Sequence, residues 1–304
     1  MGDTTKKILY ISYDGLTDPL GQSQVLPYLQ QLAEHGYCFT ILSFEKKDRL
    51  KKEVHIIKDI LKVSGIGWVP LTFTSRPPIL SKMYDRFRMK QTAVSLYKKE
   101  KFDLIHCRSY VAAETGLLLK KKFGTPFLFD MRGFWADEKV DNGQWDLNKF
   151  FYRLLYKYYK QKEKELLSGA DGIISLTEAS KNHLLQKKIY RDLSIKVIPC
   201  CADLEHFNYL NISLARLEEV KKELKIPHGA KVITYLGSIG GWYMVKEMFL
   251  FLKMVQKQYP DHIMLFLTKD DPAKVRREAM MCGIETSKIF IRYAGRKELP
   301  VFWP

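Results

Sequence analysis

Short runs rich in Ile, Val, Phe and Tyr alternate with longer stretches of helical periodicity along the whole chain, and no other feature limits the fold as much. Parallel strands need a crossover of a dozen or more residues, which a helix supplies. The expected fold class is therefore α/β, with doubly wound parallel sheets covered by helices on both faces. Strands are predicted at residues 8–13, 37–44, 68–73, 104–108, 126–131, 172–176 and 196–199. Helices are predicted near 24–35, 46–63, 80–101, 112–123, 147–167 and 178–188. These elements make one complete domain. A polar stretch at 203–211 follows, then a charged helix ending at Lys225 and the breaker Ile226-Pro227-His228-Gly229. A second α/β unit begins there, with strands at 232–236, 263–267 and 289–293 and helices at 244–258 and 273–282. The expected organisation is an N-terminal domain over 1–200, a linker and helix over 201–229, and a partial second domain over 230–304. Three parallel strands are half of a doubly wound sheet, so the second domain is expected to be truncated, its closing segment 300–304 starting a helix it does not finish.

Charge narrows the partners. Lys and Arg number 50 against 34 Asp and Glu, a net +16, and 34 of the basic but 22 of the acidic residues lie in 1–200. An anionic partner is thus expected on the N-terminal two thirds. The longest uncharged stretch, 19–33, has 15 residues including four Gln, too short and too polar to span a membrane. The first residues pass from charge straight into a short apolar run, without the pattern of a signal peptide, and a cytoplasmic location is expected. Cys38, Cys107, Cys200, Cys201 and Cys282 are odd in number, lack a C-x-x-C and lie in strand-like apolar contexts. They are expected to be reduced and buried, with neither a disulfide framework nor a metal site.

Three stretches bring chemistry-bearing residues to strand ends. The first, 14–24, carries Gly15 and Gly21 and runs into the first helix. Glycine admits close backbone approach and a helix N-terminus favours an anion, although an ordinary strand-to-helix turn has the same composition. The glycine spacing does not fit G-x-G-x-x-G and no Walker loop occurs, which disfavours NAD and ATP sites of those types. The second, 129–138, holds Asp130, Arg132, Trp135, Asp137 and Glu138 just past a buried strand. Open α/β sheets bind ligands at that edge, and Asp-x-Arg there is costly unless its charges are used or paired. These residues suit sugar or phosphate chemistry, with Trp135 and Trp145 stacking on a sugar ring. The alternative is a salt-bridged surface loop anchored by Trp135, which leaves the cost of those charges next to a buried strand less well explained. The third stretch, 103–110, ends a strand with His106 and Arg108, where His106 is a base, a hydrogen-bond partner of a hydroxyl, or a structural residue.

Two segments concentrate the basic charge. Lys149, Arg153, Lys157, Lys160 and Lys164 repeat at helical spacing to form one stripe, with Phe151, Leu154, Leu155 and Tyr158 opposite. Arg76 to Lys101 carries eight basic and two acidic residues. Such faces suit anionic lipid headgroups, and also solvated helices whose apolar side packs on a sheet. An anionic membrane surface is the expected partner of 76–101 and 149–164. Nucleic acid is not, because the basic residues sit on helices and no nucleic-acid motif is present.

Taken together, several stretches resemble glycosyltransferase family 4, the retaining transferases of GT-B type. They are Asp18-Pro-Leu-Gly21-Gln-Ser-Gln-Val25, Asp103-Leu-Ile-His106, and Lys196-Val-Ile-Pro-Cys-Cys-Ala-Asp203-Leu-Glu-His-Phe207. The last is similar to the family's interdomain signature I-P-N-G-V-D, and Val232-Ile-Thr-Tyr-Leu-Gly237-Ser238 resembles the strand and turn that open its nucleotide-binding domain. The resemblance implies two Rossmann-like domains, the second incomplete here. It implies transfer of a hexose, with retention, from a nucleotide-diphosphate sugar to a saccharide or lipid-linked acceptor at the inner face of the cell membrane. By the same resemblance His106, Arg108 and Asp130 are catalytic, Gly21, Gln22, Gly237 and Ser238 bind the donor, and Arg132, Trp135 and Asp137 face the acceptor. No cofactor or metal is implied, since cationic side chains and helix N-termini stabilise the leaving nucleoside diphosphate.

The chain departs from the family pattern in three places. Ser238 and Tyr243 stand where Arg and Lys are common, and Arg108 stands where a second His is common. The paired glutamates E-x7-E belong to a part of the second domain that the chain does not reach, and Glu278 and Glu285 are one residue too close to be that pair. The chain as it stands is expected to lack most of the donor site. The alternative is a non-catalytic basic module that binds membrane or nucleic acid. A third reading, an epimerase or phosphatase of similar architecture, fits the composition but not the interdomain stretch.

Overall fold

A computed structural model describes residues 5–208, 210, 212–240 and 243–302, so Trp303 and Pro304 of the expected final helix lie outside the described residues. The chain divides into two compact units, Met1–Cys201 and Ala202–Pro304. In the first, seven strands are β1 (Lys6–Ser12), β2 (Tyr37–Glu45), β3 (Gly67–Thr72), β4 (Leu104–Arg108), β5 (Phe127–Met131), β6 (Gly172–Ser175) and β7 (Ile195–Val197). All pair in parallel, in the order β3-β2-β1-β4-β5-β6-β7. Alternate side chains of the central strands enter opposite cores, as the period of two requires. Leu9 and Ile11 of β1 join the core that Met89, Ala112 and Leu166 close, from α3 (Pro78–Lys99), α4 (Ser109–Phe123) and α6 (Phe150–Gly169). Ile8 and Tyr10 join the opposite core with Leu26 and Leu29 of α1 (Leu26–Glu34) and Ile57 and Leu61 of α2 (Lys47–Val63).

The strand order reverses between β1 and β4. The chain leaves β1 toward one face and β4 toward the other, which opens a crevice at their carboxyl ends, the usual ligand position in such sheets. Ser109 adopts φ 65°, a left-handed turn that lets α4 begin directly after Arg108. Two elements escaped the sequence pattern: a π-helical turn over Gly21–Val25 and the short α5 (Trp135–Asp141). The remaining α-helix of this unit among the described residues is α7 (Glu178–Leu185).

The second unit holds α8 (Leu214–Glu223), β8 (Lys231–Leu236), α9 (Val245–Gln258), β9 (His262–Leu267), α10 (Pro272–Met281) and β10 (Ile289–Arg292). Its sheet is parallel, in the order β10-β9-β8. Phe249 and Leu252 of α9 and Val275 and Ala279 of α10 cover one face. Val220 of α8 and Phe302 of a closing 3-10 turn cover the other, so the charged helix expected in the linker packs against this sheet.

Two expectations are corrected here. Of the cysteines only Cys107 is buried; Cys38, Cys200 and Cys201 are exposed and Cys282 is intermediate. Cys200 and Cys201 follow the end of β7 at Val197, and Cys38 lies at the exposed amino-terminal end of β2. In α6, Phe151, Leu154 and Tyr158 are exposed, because the helix reaches the core only through Glu163, Leu166 and Leu167 in its second half. Lys160 leaves the basic stripe and turns inward to Asp137 and Glu163.

Candidate functional site

The crevice loop after β1 is held by a carboxylate that sequence reading did not single out. Glu45, fully buried at the end of β2, accepts hydrogen bonds from Leu16 N at 2.8 Å, Thr17 N at 3.0 Å, Thr17 Oγ1 at 2.6 Å and Ser43 Oγ at 2.6 Å. A Cβ on Gly15 would stand 2.5 Å from Glu45 Oε2, and one on Gly21 would stand 2.1 Å from the Gly15 carbonyl oxygen. The close approach that Gly21 permits is therefore to the loop's own backbone. The Gln22 amide turns away from the crevice, donating to Glu53 Oε2 at 2.6 Å.

Two residues further on, Gln24 enters the crevice. Its Oε1 accepts from Arg108 Nη2 at 3.0 Å and from Arg132 Nη2 at 2.9 Å, so one amide oxygen joins the arginines that end β4 and follow β5. Asp130 lies between the same two guanidinium groups, its oxygens 3.7 Å from Arg108 Nη1 and 3.5 Å from Arg132 Nη1. Those are ion-pair distances too long for hydrogen bonds, and Asp130 Oδ1 has no hydrogen-bond partner. Burial raises the Asp130 carboxyl above the usual range, against the opposing pull of Arg132 and Arg108. Asp14 Oδ2 stands 3.5 Å from Arg108 Nε, and Cys200 Sγ accepts from Arg132 Nη2 at 3.1 Å.

His106 lies one turn of the pleat below Arg108, on the same face of β4. It is buried, its ring edge-on to Tyr10 at 4.7 Å, and its Nε2 has no partner. Burial, reinforced by Arg108 and Arg132, lowers its pKa to about 3. The imidazole is therefore neutral near pH 7 and serves as a hydrogen-bonding group rather than as an acid. The crevice thus holds two cations suited to phosphoryl and hydroxyl oxygens, and beside them a buried carboxylate oxygen and a buried imidazole nitrogen that lack hydrogen-bond partners.

The other expected residues of this edge are drawn toward α6. Asp137 accepts from Lys160 Nζ at 2.7 Å and Tyr156 Oη at 2.6 Å. Burial pushes its carboxyl up, but those hydrogen bonds prevail and leave it below the usual range. The Trp135 ring packs edge-on against Tyr159 at 4.7 Å and against the buried Trp145 at 5.4 Å. Tyr110 Oη donates to Glu163 Oε2 at 2.8 Å, a buried link from α4 to α6 that no sequence pattern signals.

In the second unit, Gly237 and Ser238 lie in the turn after β8, at the carboxyl edge of that sheet. Gly237 N donates to Leu267 O at 3.1 Å, and Tyr235 Oη donates to Ser238 O at 2.8 Å. Lys274 Nζ, 3.4 Å from Ile239 O, brings to this turn a cation that sequence spacing did not reveal. Among the described residues no cluster of three His, Cys, Asp or Glu could hold a metal ion.

A doubly wound domain with a polar, cationic crevice at its switch point, accompanied by a second parallel Rossmann-like domain, is the architecture of GT-B proteins. Residues 22–206 match the family model Glycosyltransferase Family 4, and the chain belongs to that family. No curated protein matches it in sequence. Among solved structures it is similar to a sucrose-phosphate synthase from Thermosynechococcus elongatus, with TM-score 0.67 and 16% identity, over 98% of this chain and 73% of that one. It is similar also to HepE from Anabaena in complex with UDP and glucose, with TM-score 0.64 and 14% identity, over 98% and 71%. A UDP-GlcNAc 2-epimerase from Neisseria meningitidis bound to UDP-GlcNAc shares the fold at TM-score 0.57 and 14% identity, over 98% and 74%.

Proposed function

We propose that this protein transfers a hexose from a nucleotide-diphosphate sugar to a saccharide or lipid-linked acceptor, with retention at the anomeric carbon. The observation that carries this reading is the crevice itself, where Asp130 Oδ1 and His106 Nε2 are buried without hydrogen-bond partners beside Arg108 and Arg132. Buried polar atoms left unpaired are costly, and a ligand hydroxyl satisfies them. In this reading Asp130 accepts from a sugar hydroxyl and Arg108 and Arg132 hold developing negative charge without reorganising. Neutral His106 orients the sugar. Arg132 faces the acceptor, while Trp135 and Asp137 shape that wall through α5. On the donor side the turn at Gly237 and Ser238 presents backbone to the nucleotide, with Lys274 replacing the cations absent at Ser238 and Tyr243. Gly21 and Gln22 fix the loop that carries Gln24. No resident cofactor is needed for these steps.

The test is calorimetric titration of the chain with UDP and GDP, followed by incubation with a panel of nucleotide sugars and acceptors. Base-selective micromolar binding, and a glycoside whose anomeric configuration matches the donor's, are expected. Absence of both, or conversion of the sugar nucleotide without an acceptor, overturns the reading.

A further inference from the structure

The first halves of α3 and α6 carry large apolar side chains that no part of the first unit covers. On α3, Leu80, Met83, Tyr84 and Phe87 are 53–63% exposed, at the spacing i, i+3, i+4 and i+7 that sets them along one face. On α6, Phe150, Phe151, Leu154 and Tyr158 are 47–70% exposed. Both helices flank α4, and Arg86 of α3 links them, paired with Glu114 of α4 and 3.5 Å from Tyr159 Oη of α6. The two stripes therefore belong to one region of the surface. Exposed apolar patches of this kind mark interaction sites.

Charge identifies the occupant. Exposed Arg76, Lys82, Lys149, Arg153 and Lys157 accompany the stripes. Within these helix halves Asp85 is the sole acidic residue among those described, and it is buried; Glu114 of the neighbouring α4 is already paired, and exposed Asp146, just before α6, accepts from Asn148 N. Apolar insertion together with an excess of exposed positive charge matches the interface of an anionic bilayer. Among the described residues no helix is long and apolar enough to cross a membrane. The stripes suit a surface contact in the bilayer plane.

We propose that the first halves of α3 and α6 form a docking surface for an anionic lipid bilayer. All strands of the sheet run one way, so α3, which follows β3, starts at the carboxyl edge, and α6, which ends where β6 begins at the amino edge, has its first half toward the carboxyl edge, the edge of Arg108, Asp130 and Arg132. Docking places the crevice at the lipid surface, and on the transfer reading above the acceptor is then lipid-borne. The docking itself does not depend on that reading.

The experiment is co-sedimentation of the full chain with vesicles of phosphatidylcholine, alone or with one third phosphatidylglycerol, at low and high salt. Binding to the anionic vesicles only, weakened by salt, is expected. Lys82→Glu with Lys157→Glu weakens it by at least about fivefold per residue. Phe87→Ser with Leu154→Ser weakens it by roughly tenfold, with an unchanged melting temperature because both positions are exposed. No partition onto anionic vesicles overturns the proposal, as does full binding by the serine pair. So does a dimer of the free protein that the serine pair dissociates, or tight duplex DNA binding abolished by the same changes. None of these readouts involves sugar transfer, so either conclusion can fail without the other.

Discussion

Glu45 holds the crevice loop through four hydrogen bonds to one buried carboxylate, and Glu45→Gln tests that arrangement at nearly constant volume. Oε2 accepts from both Thr17 N and Thr17 Oγ1, while Oε1 accepts from Leu16 N and Ser43 Oγ. Glutamine keeps one carbonyl acceptor but must set an amide N–H against an N–H on the other side. Hydrogen bonds to charged groups contribute about 1.5–3 kcal/mol each, and the Thr17 hydroxyl can reverse its role, so the net loss is about 3 kcal/mol. For a unit of this size that lowers the melting temperature by about 6–12 °C. Circular dichroism measures that shift, and hydrogen exchange at Leu16 and Thr17 shows whether the loop itself has loosened. A shift below about 2 °C with unchanged exchange at both amides refutes the reasoning, since those donors would then be satisfied without the carboxylate.

Three further outcomes are expected. Gln24→Ala removes the acceptor shared by Arg108 and Arg132 and should lower kcat/KM for transfer by roughly 10–100-fold, with the melting temperature little changed. Gly21→Ala would place a Cβ 2.1 Å from the Gly15 carbonyl oxygen, and urea unfolding should show a loss of about 2–4 kcal/mol. His106 binds a proton at about 3 when folded, against 6.5 for the free side chain, so the unfolded state takes up a proton that the folded state refuses. Stability is thus lost as pH falls from about 6.5 toward 3, by up to about 1.4 kcal/mol per unit from this group, and denaturant titrations of His106→Gln should show a shallower decline.

The strands and most helices were legible because apolar periodicity is a local property of the chain. Strands β1, β2 and β4 lie within a residue or two of their predicted positions, as do α2 and α9. The π-helical turn at Gly21–Val25 and the seven-residue α5 are too short to show a period. Within the crevice, His106, Arg108, Asp130 and Arg132 could be read as strand-end residues, but Gln24 could not be told from Gln22. Both are uncharged residues of one loop, and only the helical turn sends one toward Glu53 and the other to the arginines. The apolar residues of α3 show the same limit: Phe87 and Met89 are alike in sequence, yet one is exposed and the other buried.

By itself the sequence determined the class, two units of parallel α/β structure with polar residues at strand ends, since the spacing of apolar residues selects helix or strand and the end of a parallel strand is a fixed place in the fold. Tertiary structure alone decided the partners. Gln24 meets Arg108 and Arg132 across 84 and 108 residues of chain, and Glu45 reaches back 28 and 29 residues to the loop it holds. Such contacts follow from strand order and from which face each crossover takes, and neither is encoded in the local pattern around the residues that meet.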